Sequence, residues 1–160
     1  MKKSILLALV LILSAGCFAQ IPSVSLKDID GKTVDTSTLS NDGNPFILSF
    51  FATWCKPCQR ELDAINEQIA DWEEETGVKV IIVSIDQGQN VDKVKPLVYG
   101  KGWEYDVLID PNSDFKRAMN VSNIPATFVF DGSGKIVYSH TGYTDGAEEE
   151  LIEKVREVAK

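Results

Sequence analysis

Cysteine, histidine and methionine are all scarce here: three, one and two residues among 160. Each scarcity excludes something. A structural zinc site needs four ligands, and the absence of a second cysteine pair, with His140 the only histidine, argues against one. Cys55 and Cys58 are spaced C-x-x-C, and a loop that short cannot staple a domain. The apolar run from Ser4 to Ala15 has twelve residues, short of the roughly 20 needed to cross a bilayer. Positive charge is also in deficit. Setting aside the first nineteen residues, which hold Lys2 and Lys3, leaves 14 basic against 24 acidic side chains, net −10. Such a surface repels phosphate backbones and argues against nucleic acid as a partner. No internal repeat, low-complexity stretch or linker interrupts residues 22–160.

What is present begins with a leader. Lys2 and Lys3 precede the apolar run, and Ala15, Gly16 and Ala19 follow it, which is the layout of a secretory signal peptide over residues 1–19. Cleavage after Ala19 would leave Gln20 first and one domain over residues 20–160. Leu13 to Cys17 also resembles a bacterial lipoprotein box, which would put a lipid on Cys17. Ser14 stands where such boxes carry a larger apolar residue, and the tether to Pro22 is short, so the soluble product is favoured. The expectation is an exported protein of the periplasm or cell envelope, and a monomer. If Cys17 leaves with the leader, Cys55 and Cys58 are the remaining thiols. An exported chain whose cysteines lie that close uses them for chemistry.

Periodicity outlines the elements. Val24 to Leu26 and Thr33-Val34 flank Asp30-Gly31, a hairpin turn. Phe46 to Ala52 is a nearly continuous apolar run, as for a strand buried on both faces. A helix follows from about Cys55 to Glu75, its inward face marked by Leu62, Ile65, Ile69 and Trp72. Val78 to Ile85 reads as a second buried strand. Residues 90–100 read as a helix that Pro96 kinks or restarts, 105–109 as a short strand and 113–119 as a short helix. Two strands, 126–130 and 135–139, enclose the turn Asp131 to Gly134. Asp145 and Glu148 resemble a capping box opening a last helix with Leu151, Ile152, Val155 and Val158 inward. The fold class is α/β, a layered sheet that is mostly parallel at first.

The chemistry sits where the first buried strand meets the long helix, at Trp54-Cys55-Lys56-Pro57-Cys58. A helix N-terminus offers unpaired N–H groups and a partial positive charge, which stabilise a thiolate. The thiolate is the attacking species, and a second sulfur three residues on can resolve a mixed disulfide. Pro57 lacks an N–H, which costs nothing in a first turn. Covalent haem attachment wants C-x-x-C-H, and Gln59 follows Cys58. No metal is expected, and no cofactor beyond a redox-active Cys55–Cys58 disulfide.

Phe50 to Cys58 resembles the thioredoxin active-site segment, and Asn123-Ile124-Pro125-Ala126-Thr127-Phe128 resembles the thioredoxin cis-proline loop. The leader, the N-terminal hairpin and an added helix–strand unit before that loop make the chain similar to the exported TlpA/ResA-like branch. This implies a thioredoxin-like three-layer αβα sandwich with a mixed central sheet. It also implies a thiol–disulfide oxidoreductase, more a reductase than an oxidant. Protein disulfides such as those of cytochrome c precursors would be its substrates, and a membrane thiol its electron donor. Pro125 is then expected to be cis and beside the Cys55 sulfur, with the Ile124 backbone pairing with substrate and Trp54 shaping the substrate surface. Gly142 resembles the family glycine that lets a substrate chain approach, although a turn glycine reads equally well.

Glu61 lies three residues after Cys58 and four before Ile65 in the inward stripe. Minimal thioredoxins keep an acid six residues before the first cysteine, where this chain has Ser49. ResA-like proteins instead carry a glutamate where Glu61 stands. The expectation is that Glu61 moves protons for Cys58; a solvated rim carboxylate is the alternative. His140 reads as an exposed strand residue, and Asp86 as either a turn acid or a rim charge. Two other functions remain open. A thiol peroxidase would place Thr or Ser three residues before the reactive cysteine, where Ala52 stands. A non-catalytic binding module with this fold would tolerate Cys55→Ser.

Overall fold

A computed structural model describes residues 21–159. The leader, Cys17 and the cleavage position after Ala19 lie outside the described residues. Seven strands form one sheet in the order β2-β1-β5-β4-β3-β6-β7. β1 (Ser25–Asp28) and β2 (Thr33–Asp35) make the N-terminal hairpin, and β1 joins the sheet antiparallel to β5 (Asp106–Ile109). β3 (Phe46–Phe51), β4 (Lys79–Ser84) and β5 run parallel. β6 (Ala126–Phe130) turns antiparallel against β3, and β7 (Ile136–Thr141) closes the edge against β6.

Alternation along β3 divides the core. Ile47 and Phe51 face a cluster holding Leu62, Ile65 and Trp72 of α1 (Lys56–Thr76), Val94 and Val98 of α2 (Val94–Lys101), and Leu151, Ile152 and Val155 of α4 (Ala147–Val158). Phe46, Leu48 and Phe50 face the opposite cluster with Phe115 of α3 (Asp114–Ala118). The crossovers β3–α1–β4 and β4–α2–β5 step the same way across the sheet. Crossovers of one hand therefore put both helices on one face, and the layer on the other face is thin. Every residue of β3 is buried, as the continuous apolar run requires.

Two local expectations need correction. The break near Pro96 falls earlier: a 3-10 segment, Gly88–Lys93, precedes α2, and Pro96 is the third residue of α2. A missing N–H costs nothing in a first turn, because no carbonyl of the same helix waits for it. The capping box at Asp145 does not form. The N-cap is Gly146, left-handed at φ 94°, and Glu148 accepts the Gly146 N–H at 3.1 Å and the Tyr143 hydroxyl at 2.8 Å. Positive φ suits glycine, so the helix opens one residue later than the side-chain pattern indicates.

Candidate active site

β3 ends at Phe51, and a four-residue turn brings the chain into α1 with Cys55 as the N-cap. The Cys55 N–H bonds the Ala52 carbonyl at 3.0 Å, and the Gln59 N–H bonds the Cys55 carbonyl at 3.1 Å. In this position the Cys55 sulfur accepts the Cys58 N–H at 3.3 Å, one of the helix's orphan donors. Cys55 and Cys58 are joined as a disulfide with their Cα atoms 5.3 Å apart. Pro57 occupies the first turn. Cys58 is 0% exposed and Cys55 6%, so whatever surface the pair offers belongs to Cys55. Trp54, beside it, is 60% exposed.

The turn before Cys55 is held from behind. Asp86, fully buried just past β4, accepts the Thr53 N–H at 2.8 Å, the Thr53 hydroxyl at 2.7 Å and the Ser84 hydroxyl at 2.8 Å. Gln59 donates from its side-chain nitrogen to the Thr53 carbonyl at 2.6 Å. Asp86 is therefore the turn acid rather than a rim charge, and it fixes the segment that carries Trp54 and Cys55. Across the site, Ile124–Pro125 is a cis peptide, as expected from the resemblance. Ile124 is half-buried against both core clusters. Gly142 donates to the Pro125 carbonyl at 2.8 Å, tying the loop to the end of β7, and its φ of 83° is the left-handed conformation that glycine alone adopts freely.

Glu61 is not at the rim. It is 1% exposed, one turn along α1 from Cys58, and its carboxylate is surrounded by side chains from three adjacent strands. Thr127 of β6 donates to Oε2 at 2.9 Å, and Ser49 of β3 approaches the same oxygen at 3.3 Å. The two hydroxyls are 2.8 Å apart. His140 Nε2 of β7 meets Oε1 at 2.5 Å. Ser49 is the registered partner of Thr127, and Thr127 that of His140, so the three form one row across the sheet under α1. Burying a carboxylate costs several kcal/mol unless donors replace its water, and this row supplies them. The expectation of an exposed His140 is corrected: its side chain is 15% exposed. β7 is an edge strand, but α1 and α4 cover the face on which His140 sits.

The sequence pointed to Cys55, Cys58, Pro57, Trp54, Glu61, Ile124 and Pro125, and the structure brings the cysteine pair, Trp54, Pro57 and Glu61 together at the start of α1. Ser49, Thr53, Thr127 and His140 went unrecognised as site residues. Ser49 carried one signal, a polar residue inside an otherwise apolar buried strand.

A mixed sheet with the antiparallel pair β6–β7 at one edge, a cis-proline at the entry to β6 and a C-x-x-C disulfide at the start of α1 define a thioredoxin-like domain. The profile of the AhpC/TSA family matches residues 18–139, and the chain belongs to that family. It is similar to the thiol-disulfide oxidoreductase ResA of Bacillus subtilis, 30% identical over 121 residues, 76% of this chain and 65% of that one; the chain thus spans just under two thirds of that relative's length. A thioredoxin-like protein from Porphyromonas gingivalis has a solution structure 68% identical in sequence, with a TM-score of 0.79 over 89% of this chain and 93% of that one. A thiol:disulfide interchange protein of the thioredoxin family from Chlorobium tepidum is 26% identical, with a TM-score of 0.69 over 88% and 96% of the two chains. No described helix is long and apolar enough to cross a membrane.

Proposed function

We propose that this protein is a thiol–disulfide oxidoreductase that reduces protein disulfides in the cell envelope, of the kind used in cytochrome c maturation. The observation that carries the reading is the Cys55–Cys58 disulfide at the start of α1, with Cys55 as the N-cap. The names of the ResA and interchange-protein relatives support it.

The disulfide is the end point of one turnover. In the reduced protein the Cys55 thiolate, stabilised by the first-turn N–H groups, attacks a substrate sulfur. A mixed disulfide forms and one substrate thiolate leaves, to be protonated by solvent. Cys58, deprotonated, then attacks the Cys55 sulfur. The Cys55–Cys58 bond forms, the second substrate thiolate leaves, and two electrons have passed to the substrate. Glu61 takes the Cys58 proton in this second step, which makes Cys58 a nucleophile inside a buried site. Trp54 and the Ile124–Pro125 backbone form the surface on which an extended substrate lies. An external dithiol, a membrane thiol donor, returns the two electrons.

Cys58→Ser tests the reading directly, because a protein that attacks but cannot resolve holds its substrate on Cys55. Non-reducing gels of envelope extracts should show discrete adducts that collapse with dithiothreitol and are absent in Cys55→Ser. A lack of adducts would remove the exchange reading. The direction of electron flow is read from the midpoint potential, where a value near about −120 mV would make the protein an oxidant instead.

A further inference from the structure

We infer that His140 is the positioning residue of Glu61, fixing its carboxyl through the contact of Nε2 with Oε1. The inference rests on the proposed role of Glu61 as the proton acceptor for Cys58. Three observations support it. His140 Nε2 lies at hydrogen-bond distance from Glu61 Oε1, while the other carboxylate oxygen is taken by hydroxyls. The two residues are 79 apart in sequence, and only the registered row Ser49–Thr127–His140 brings them together. The second ring nitrogen, Nδ1, is buried and meets no hydrogen-bond partner among the described residues. The ring is therefore anchored through Nε2 alone, and Glu61 is the group to which it answers.

Two tyrosines lie near the pair. Tyr138, the preceding residue on the same face of β7, has its ring 5.7 Å from that of His140. Burial first, then the neighbouring Glu150 of α4, lifts its hydroxyl above the usual range. Tyr105, just before β5, donates to the Leu62 carbonyl at 2.8 Å, and its hydroxyl is pushed up by burial and then by the charges of Asp63 and Glu61.

An Nε2–H donor holds Oε1 while the Thr127 and Ser49 hydroxyls hold Oε2, so the carboxyl keeps one orientation.

Resolution kinetics test the positioning role. If Glu61→Gln slows release of a mixed disulfide about tenfold or more, His140→Leu should also slow it, and the double variant should be no slower than Glu61→Gln. His140→Gln, which keeps an N–H donor but cannot titrate, should restore the neutral-pH rate and flatten the pH profile. Independent, additive losses from the two sites would overturn the positioning role. Should Glu61→Gln leave resolution unchanged, the proton-acceptor reading falls and takes the positioning role with it; should Glu61→Gln slow resolution while His140→Leu does not, the positioning role falls alone.

Discussion

At the scale of single residues, the buried acids of this site do different work. Glu61, one turn along α1 from Cys58, sits among Ser49, Thr127 and His140; Asp86 holds the turn that delivers the cysteines. Replacing Asp86 with Ala strands the Thr53 N–H and hydroxyl and the Ser84 hydroxyl. Each unsatisfied buried group costs about 1–3 kcal/mol, so the urea midpoint should fall clearly. Disulfide reduction should slow as well, since the Thr53-Trp54 backbone loses its anchor; an unchanged rate would mean that the turn holds itself. Why Glu61 was legible in the sequence and His140 was not follows from distance along the chain. Glu61 shares a helix with Cys58 at a spacing of one turn. His140 reaches the same carboxylate only through two strand pairings, and on an edge strand a polar residue reads as solvent-facing. Asp86 stayed ambiguous for the same reason, because its partner Thr53 is 33 residues away.

At the scale of elements, the strands and α1 were plain from apolar runs and helical periodicity, while ends set by backbone geometry were not. The last helix begins at a left-handed Gly146, which the acidic pattern at 145–148 masks. Among the turns, the one between β6 and β7 is the most constrained. A Cβ on Gly132 would lie 1.9 Å from the Gly43 carbonyl oxygen, so the turn and the loop before β3 approach as closely as glycine allows. Gly132→Ala should destabilise the fold by about 1–3 kcal/mol, as overpacking does, measured by chemical denaturation. Turnover of the folded protein should be unaffected, because the turn is at the far end of β6 from Pro125. Asp131, beside it, shows the same economy: burial raises its carboxyl, but bonds from Ser133 and Lys135 outweigh that and hold it below its usual value.

At the scale of the whole molecule, the acidic surface sets which disulfides arrive fastest. With 14 basic and 24 acidic side chains after the leader, encounter with a cationic disulfide should be quicker than with an anionic one. The ratio of second-order rate constants for cystamine and dithiodipropionate should exceed one at low salt. It should shrink as the screening length drops from about 30 Å at 0.01 M to about 3 Å at 1 M. A ratio indifferent to salt would place the preference in local contacts near Lys56 instead. The global topology was legible as far as the alternation of strands and helices carried it. The lopsided layering, with α1, α2 and α4 on one face, comes from the direction in which successive crossovers step, and residue patterns do not record that direction.

The row Ser49–Thr127–His140 also has a consequence in time. A chain emerging from N-terminus to C-terminus exposes both cysteines while residues 126–141 are still to come. Until the last two strands dock, the acid on α1 lacks two of its three neighbours. Its surroundings are therefore completed only by the last quarter of the polypeptide.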